Sequence, residues 1–200
     1  MRRSVPLTRE IIVAAALEIA ERDGLEGLTM RALASELGVT PMATYYHVPD
    51  KVSLVNLVVD AVHERQEPLE IGPDGWEESL RRRLQSQWDA LSRYPGLGAY
   101  LLNQPTLGAT PTAINSGIAF FTAVGFSPRS AQLAWSFSTT YLHGRLSVDA
   151  RLRGTGPAVV TGIRAREYVS FGIDAVILGL KAMLEAELNQ NESEDSAAAS

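Results

Sequence analysis

The sequence contains no cysteine, which excludes disulfides, thiolate zinc sites and cysteine nucleophiles together. It has no uncharged apolar run of about 18 residues, the length a membrane-spanning helix needs. No apolar stretch of the leader type runs directly on from Arg2 and Arg3, as a secretory leader requires, so a cytoplasmic protein is expected. Histidine is scarce: His47, His63 and His143 lie far apart, never in the His-x-x-x-His spacing that sets two ligands on one helix face. No serine sits in a Gly-x-Ser-x-Gly frame, and no phosphate-binding loop is present. No catalytic set, metal site or cofactor is therefore expected. Basic charge is also short. The net charge is −5, and residues 1–51 carry six Arg or Lys against seven Asp or Glu. Nucleic-acid binders usually present a basic patch, so composition does not point to DNA. Any positive surface must be local, at Arg2, Arg3, Arg9, Arg31 and Lys51.

What the chain has in quantity is helical periodicity, with no sustained alternation of the strand type. An all-α fold is expected. Thr8 caps a first helix with Ile12, Ala15, Ala16 and Ile19 on one face, ending near Asp23-Gly24. Thr29 caps a short second helix carrying Met30, Leu33, Ala34 and Leu37, and Gly38 ends it. Thr40 is the next cap, with Pro41 at the first helical position, where its missing N–H costs nothing. This third helix stops by His47-Val48-Pro49, because the residue before a proline avoids the helical region. Asp50 caps a fourth, to about Arg65. After a looser stretch at 67–73, Asp74 and Glu77 read as a capping box for a fifth helix to about Arg93, broken by Tyr94-Pro95-Gly96. Short helical material follows around 97–103. Thr110-Pro111 and Ser127-Pro128 open helices to Val124 and about Leu152, residues 153–163 form a loop, and a last helix runs from about Arg164 to Leu188. The polar, acidic end of the chain reads as disordered. The predicted units are a reading head at 1–65, a larger helical body at 66–190 and a tail at 191–200.

The informative segment is Leu28 to His47. Two short helices joined by a turn containing Gly38 match the helix-turn-helix description. The second helix packs by its apolar stripe, Val39 fills the corner, and the short third helix projects, as suits a major groove about 12 Å wide. In this order and spacing the residues resemble the N-terminal domain of the tetracycline-repressor (TetR) family, Lys51 included. The resemblance is strong over residues 8–60, modest to about 150 through Pro68-Leu69, Trp76, Pro105 and Gly125-Phe126-Ser127, and slight beyond. It implies a dimeric, ligand-controlled repressor that binds a palindromic double-stranded DNA operator. It implies that Arg31 reaches a base edge, that Thr29, Thr40, Tyr45 and Lys51 meet phosphates, and that Pro41, Met42, Tyr46 and His47 face the groove. Taken singly, these residues have plainer readings: Thr29 and Thr40 as caps, Arg31 and Lys51 as solvated surface, Tyr45 as partly buried, His47 as a charge at a helix end. Two positions depart from the family pattern. Ala43 replaces a phosphate-contacting Thr, and Thr44 replaces a core Leu.

In the body, the resemblance implies a small-molecule effector bound among the fifth to eighth helices. Trp88, Tyr100, Asn103, Phe120, Phe121 and Trp135 are the candidate pocket residues, each also readable as core. Glu67, Arg83, Gln87, Tyr100 and Asn103 fall where tetracycline repressors hold their drug and magnesium, and they do not reproduce that set, so no tetracycline response is expected. Arg81-Arg82-Arg83 reads as a solvated helix face. The resemblance also implies a homodimer through the helices at about 127–152 and 164–188. Leu133, Phe137, Tyr141, Ala134 and Gly144 mark the first, and Ile173, Val176, Ile177, Leu180 and Leu184 the last, unless these residues form a core within one chain. Two other functions remain open: a helical small-molecule-binding protein without DNA binding, favoured by the acidic head, and an enzyme using the helical pocket, for which no nucleophile or acid–base pair is visible.

Overall fold

The computed structural model describes residues 7–66, 68–105, 109–154 and 164–198. Arg2, Arg3, Glu67 and most of the expected 153–163 loop lie outside the described residues. All regular structure among the described residues is helical apart from one isolated bridge, Gly72 to Gly75.

Helix α1 (Arg9–Gly27) starts at Thr8, whose hydroxyl accepts the Ile11 N–H. Gly24, at φ 70°, breaks it where the sequence predicts a stop, and one further turn follows. The break has a specific cause. A Cβ at Gly24 would lie 3.1 Å from the Pro95 carbonyl oxygen, and the Leu25 N–H donates to that same oxygen at 2.9 Å. Arg93 grips Glu21 beside it at 2.9 Å. The end of α1 is thus jointed to the segment at Arg93–Pro95.

Helix α2 (Met30–Leu37) is capped by Thr29 Oγ1, which accepts the Ala32 N–H at 3.1 Å. It ends on left-handed Gly38 (φ 66°), with Val39 N–H returning to the Ala34 carbonyl at 3.0 Å, a Schellman closure. Helix α3 (Pro41–Tyr45) follows at once, and α4 (Lys51–Glu64) is capped by Asp50, whose carboxylate accepts the Ser53 N–H at 2.7 Å. Helix α1 packs on α2 and α4, and α2 on α3. Ile12, Ala16, Ile19, Leu33, Leu54 and Val58 are buried between them.

The rest comprises α5 (Trp76–Leu91), α6 (Leu97–Leu102), α7 (Pro111–Val124), α8 (Pro128–Gly154) and α9 (Ala165–Ala198). Helix α8 is the spine: α5, α6, α7 and α9 all pack against it. One continuous apolar cluster runs from Leu54 and Val58 in the head to Leu97, Leu101 and Leu142 in the body.

Four expectations are corrected. Asp74 and Glu77 do not cap α5, which starts after Gly75 (φ 92°) without a side-chain cap. Opposite charges claim them instead: Asp74 pairs with Arg82 at 3.1 Å, and Glu77 with Lys181 of α9 at 3.2 Å. Three consecutive arginines cannot share a face when each residue turns the helix by about 100°. Arg82 points outward, Arg81 pairs with Glu78 and Asp174, and Arg83 turns inward. The expected disordered tail is helical to Ala198, since no Gly or Pro falls between Asn189 and Ala198 and Ser193 Oγ bonds back to the Asn189 carbonyl at 2.8 Å. Finally, Ile173, Val176, Ile177, Leu180 and Leu184 are buried within the chain itself, as is Ala134. The apolar stripe left outside is Leu133 and Phe137 on α8 with Phe171, Leu178 and Met183 on α9.

Both glycines at helix breaks are testable. Gly38→Ala meets no atom within 4 Å and should cost only the left-handed strain, about 1–2 kcal/mol. Gly24→Ala adds contact with the Pro95 carbonyl and should cost more than Gly38→Ala in urea denaturation; equal costs would contradict the joint.

Candidate nucleic-acid interface and ligand cavity

Five residues cannot hold a helix in water by their own hydrogen bonds, so α3 is fixed from outside itself. Thr44 is fully buried, its Oγ1 donating to the Pro41 carbonyl at 2.8 Å, and Val48 is only 2% exposed just past the helix end. These two, four residues apart, anchor the inner side. The opposite side stands in solvent: Met42 is 78% exposed and Tyr46 92%. Thr44 therefore occupies the core position despite its hydroxyl, because that hydroxyl satisfies itself on the helix backbone. Tyr45 is half covered, as its plainer reading anticipates.

Around this projection lie the other predicted residues. Pro41, Thr40, His47, Arg31 and Lys51 are exposed, and the Thr40 hydroxyl makes no capping bond to α3. Thr29 is half buried and engaged as a cap. Several carboxylates of the head are engaged in ion pairs away from this face. Glu36 and Asp23 both pair with Arg22 at 3.0 Å, and Glu21 pairs with Arg93.

A second concavity lies between α4, α5, α7 and α8, with a volume of about 600 Å³, within the range typical of small-molecule sites. Of the six effector candidates only Trp135 lines it. Tyr100 lines a neighbouring cavity of about 290 Å³ and donates to Asn56 of α4 at 2.9 Å. Phe120, Phe121 and Trp88 are buried in the apolar core, and the exposed Asn103 donates to the Ala99 carbonyl at 2.8 Å. The polar lining comes from Arg83 and Gln87 on α5, which the family resemblance aligns with drug-holding positions, and from residues not among the effector candidates: His63 on α4, Thr139 and His143 on α8. Their signal was present. Arg83/Gln87 and Trp135/Thr139/His143 each repeat every four residues, setting polar groups along an inward helix stripe.

The cavity's titratable groups are displaced. Burial, with the nearby His63 secondary, lowers the His143 imidazole to about 4. Burial and then Arg83 lower His63, whereas Asp60 opposes the shift; burial alone lowers Arg83. Neither nitrogen of His143, only 2% exposed, has a hydrogen-bonding partner among the described residues. Also among the described residues, no three His, Asp or Glu side chains group as a metal site, and no helix is long and apolar enough to cross a membrane.

With this geometry established, the chain's likenesses are specific. The family profile described as "Bacterial regulatory proteins, tetR family" matches residues 12–58, which span α1 to α4. A helix-turn-helix-type transcriptional regulator of Saccharopolyspora erythraea is 31% identical over 168 residues, 80% of this chain and 71% of that protein. The transcriptional repressor DrrR1 of Streptomyces coeruleorubidus is 37% identical over 110 residues, 54% of this chain but only 40% of that repressor. Among solved structures, apo ActR from Streptomyces coelicolor has the same fold over 92% of this chain and 100% of its own, with a TM-score of 0.77 at 22% identity. ActR is also known in complex with actinorhodin.

His143 makes stability depend on pH. Its folded value of about 4 lies below the ordinary 6.5, so the unfolded chain takes up the proton first. The stabilisation is complete above about pH 6.5 and is lost as pH falls toward 4. Between pH 7 and 5 this loss should be roughly 2 kcal/mol by linkage. His143→Leu should flatten the denaturation profile over that interval by about this amount; an unchanged profile would contradict the buried neutral imidazole.

Proposed function

The chain belongs to the tetR family of bacterial regulatory proteins, and from that premise we propose that it is a cytoplasmic, dimeric DNA-binding repressor released from its operator by a small molecule. The observation that carries this reading is the outward face of α3. A surface that exposes Met42 and Tyr46 almost fully, with Arg31 and Lys51 beside it, gains nothing in the free protein. In a major groove, Met42 and Tyr46 meet base edges and thymine methyls, Arg31 bonds a guanine, and Lys51, Thr40 and Tyr45 take phosphates. Only the base contacts, that of Arg31 included, carry sequence information.

One head covers few base pairs, and pairing supplies the second. Leu133, Phe137 and Met183 line a groove of about 880 Å³ along α8 and α9, and α9 also exposes Phe171 and Leu178. A second copy of the same two helices covers it and sets two heads on a palindrome. Residues 1–65 then act as the reading head and 66–190 as the regulatory body.

Helix α4 couples the two sites. Its first residue, Lys51, stands beside α3, and about 20 Å along the rod His63 faces the cavity. A ligand that displaces His63 tilts α4 about the Gly24–Pro95 joint, and the separation of the two heads changes. Ligand and DNA thereby oppose each other by linkage. The relatives named above are transcriptional regulators, in keeping with a non-enzymatic role. DNA-free ligand binding, the alternative, rests on the acidity of the head, of which Glu21 is offset from the body by Arg93.

Gel shift on DNA upstream of the protein's own gene tests the reading. Lys51→Ala should weaken all sequences and lower the salt slope by about one, while Arg31→Ala should cost about 1–3 kcal/mol and relax preference at one base pair. Identical behaviour of the two variants would refute the division of roles. Leu178→Asp should leave the fold intact but yield monomers in sedimentation and abolish the shift; a persistent dimer would refute the proposed interface.

A further inference from the structure

The effector reading leaves the chemistry of the effector open, and the cavity holds unmet hydrogen-bonding capacity that bears on it. Gln87 of α5 lines the cavity at only 5% exposure, and its side-chain amide makes no hydrogen bond among the described residues. Both ring nitrogens of the buried His143 on α8 are in the same state, as is Nδ1 of His63 on α4. Buried polar groups without partners are uncommon enough to require a reason. Here three side chains from three helices carry them along one cavity.

The kind of capacity matters as much as its presence. An amide sets N–H donors beside an acceptor oxygen, and a neutral imidazole has one donor and one acceptor. Burial keeps His143 in that neutral form. A carboxylate or sulfonate can only accept and an ammonium can only donate, so either ion leaves part of each group unmet. A hydroxyl does both. The charged side chains of the lining are already accommodated. Arg83 is partnered, with Gln66 at 3.5 Å among its contacts, while Asp60 and Glu64 of α4 are half-exposed and exposed, where water screens them. A further part of the wall is flat. Gly117 lies so close to Trp135 that a Cβ would fall 2.2 Å from the indole ring, so the ring is fixed against the α7 backbone, with Ala113 also in the lining.

We propose that the effector is an uncharged, hydroxylated aromatic molecule whose hydroxyls donate to and accept from Gln87 and His143 while its ring system lies against Trp135. This rests on the reading of the cavity as the effector site. The same groups give selectivity. An aromatic of equal shape without hydroxyls would seal the amide and the imidazole from water and leave them unpaired, which is the costly case for a buried polar group.

Two probes of one shape test it: 1-hydroxypyrene and 1-methylpyrene, titrated into the full-length protein at neutral pH, where the phenol keeps its proton, with energy transfer from tryptophan as readout. The hydroxyl probe should bind at least about tenfold more tightly than the methyl probe. Gln87→Leu combined with His143→Leu should reduce that preference to under about threefold. His143→Gln, which still donates and accepts, should keep most of it. Ala113→Phe, which fills the cavity, should abolish both signals, with circular dichroism confirming that each variant is folded. Equal binding of the two probes, no binding of 1-hydroxypyrene, or a hydroxyl preference that survives the double substitution overturns the hydroxylated class; if Ala113→Phe still removes the signal of either probe, the effector reading stands. If Ala113→Phe leaves the affinities unchanged, the cavity is no receptor and both readings fall.

Discussion

A helix of five residues has almost no cohesion of its own, and everything this chain does with DNA depends on how that deficit is met. The solution is asymmetric burial. Thr44 and Val48 go in, Met42 and Tyr46 stay out, and Pro41 sets the first turn without a wasted donor. The left-handed closure at Gly38 aims α3 away from α2, and the Asp50 cap starts α4 on the far side of Pro49. Each device is local, yet together they determine the direction of a helix that could not determine it alone.

The same economy joins the head to the body. Beside the shared apolar cluster, three polar contacts among the described residues cross between them: the Leu25–Pro95 hydrogen bond, the Arg93–Glu21 pair and the Tyr100–Asn56 bond. The ion pair is exposed and worth little, under about 1 kcal/mol. The backbone bond at Gly24 is different, because no side chain fits there and the two segments cannot separate without leaving a carbonyl and an N–H unmet. A fixed joint at one point and a movable α4 at another are what a lever requires. The cavity that would drive it is lined by groups poorly accommodated when alone, notably a buried imidazole with no partner among the described residues. Such a group holds free energy that a complementary ligand can release.

The head was legible because its information is local. Caps at Thr8, Thr29 and Asp50, the stop at Gly38 and the apolar spacing from Met30 to Leu37 are read from neighbours in sequence, and the structure follows them closely. The departure at Thr44 was visible, but its consequence was not, since a hydroxyl that satisfies itself on the Pro41 carbonyl looks polar in a sequence and apolar in a core. The cavity was hardly legible at all. His63 and His143 are separated by eighty positions and share a wall only because α4 and α8 pack as they do. Aromatic residues drew the reading toward Phe120 and Phe121, which fill the core as large apolar side chains generally do. Arg83, although aligned with a drug-holding position of the family, also reads as solvated within a run of three arginines, whose separate directions appear only with the helix wound. The α9 stripe was misjudged for the same reason: periodicity reports that a face is apolar, not whether the chain itself or a second copy covers it.

The most direct test is selection from a random duplex library at low ionic strength, comparing the natural protein with a Met42→Ser, Tyr46→Ser double variant. If the outer face of α3 reads base edges, the natural protein enriches a two-fold symmetric site, and the variant binds duplexes with similar salt dependence but enriches no common sequence. Enrichment of the same site by both proteins, or of none by the natural one, would contradict that claim.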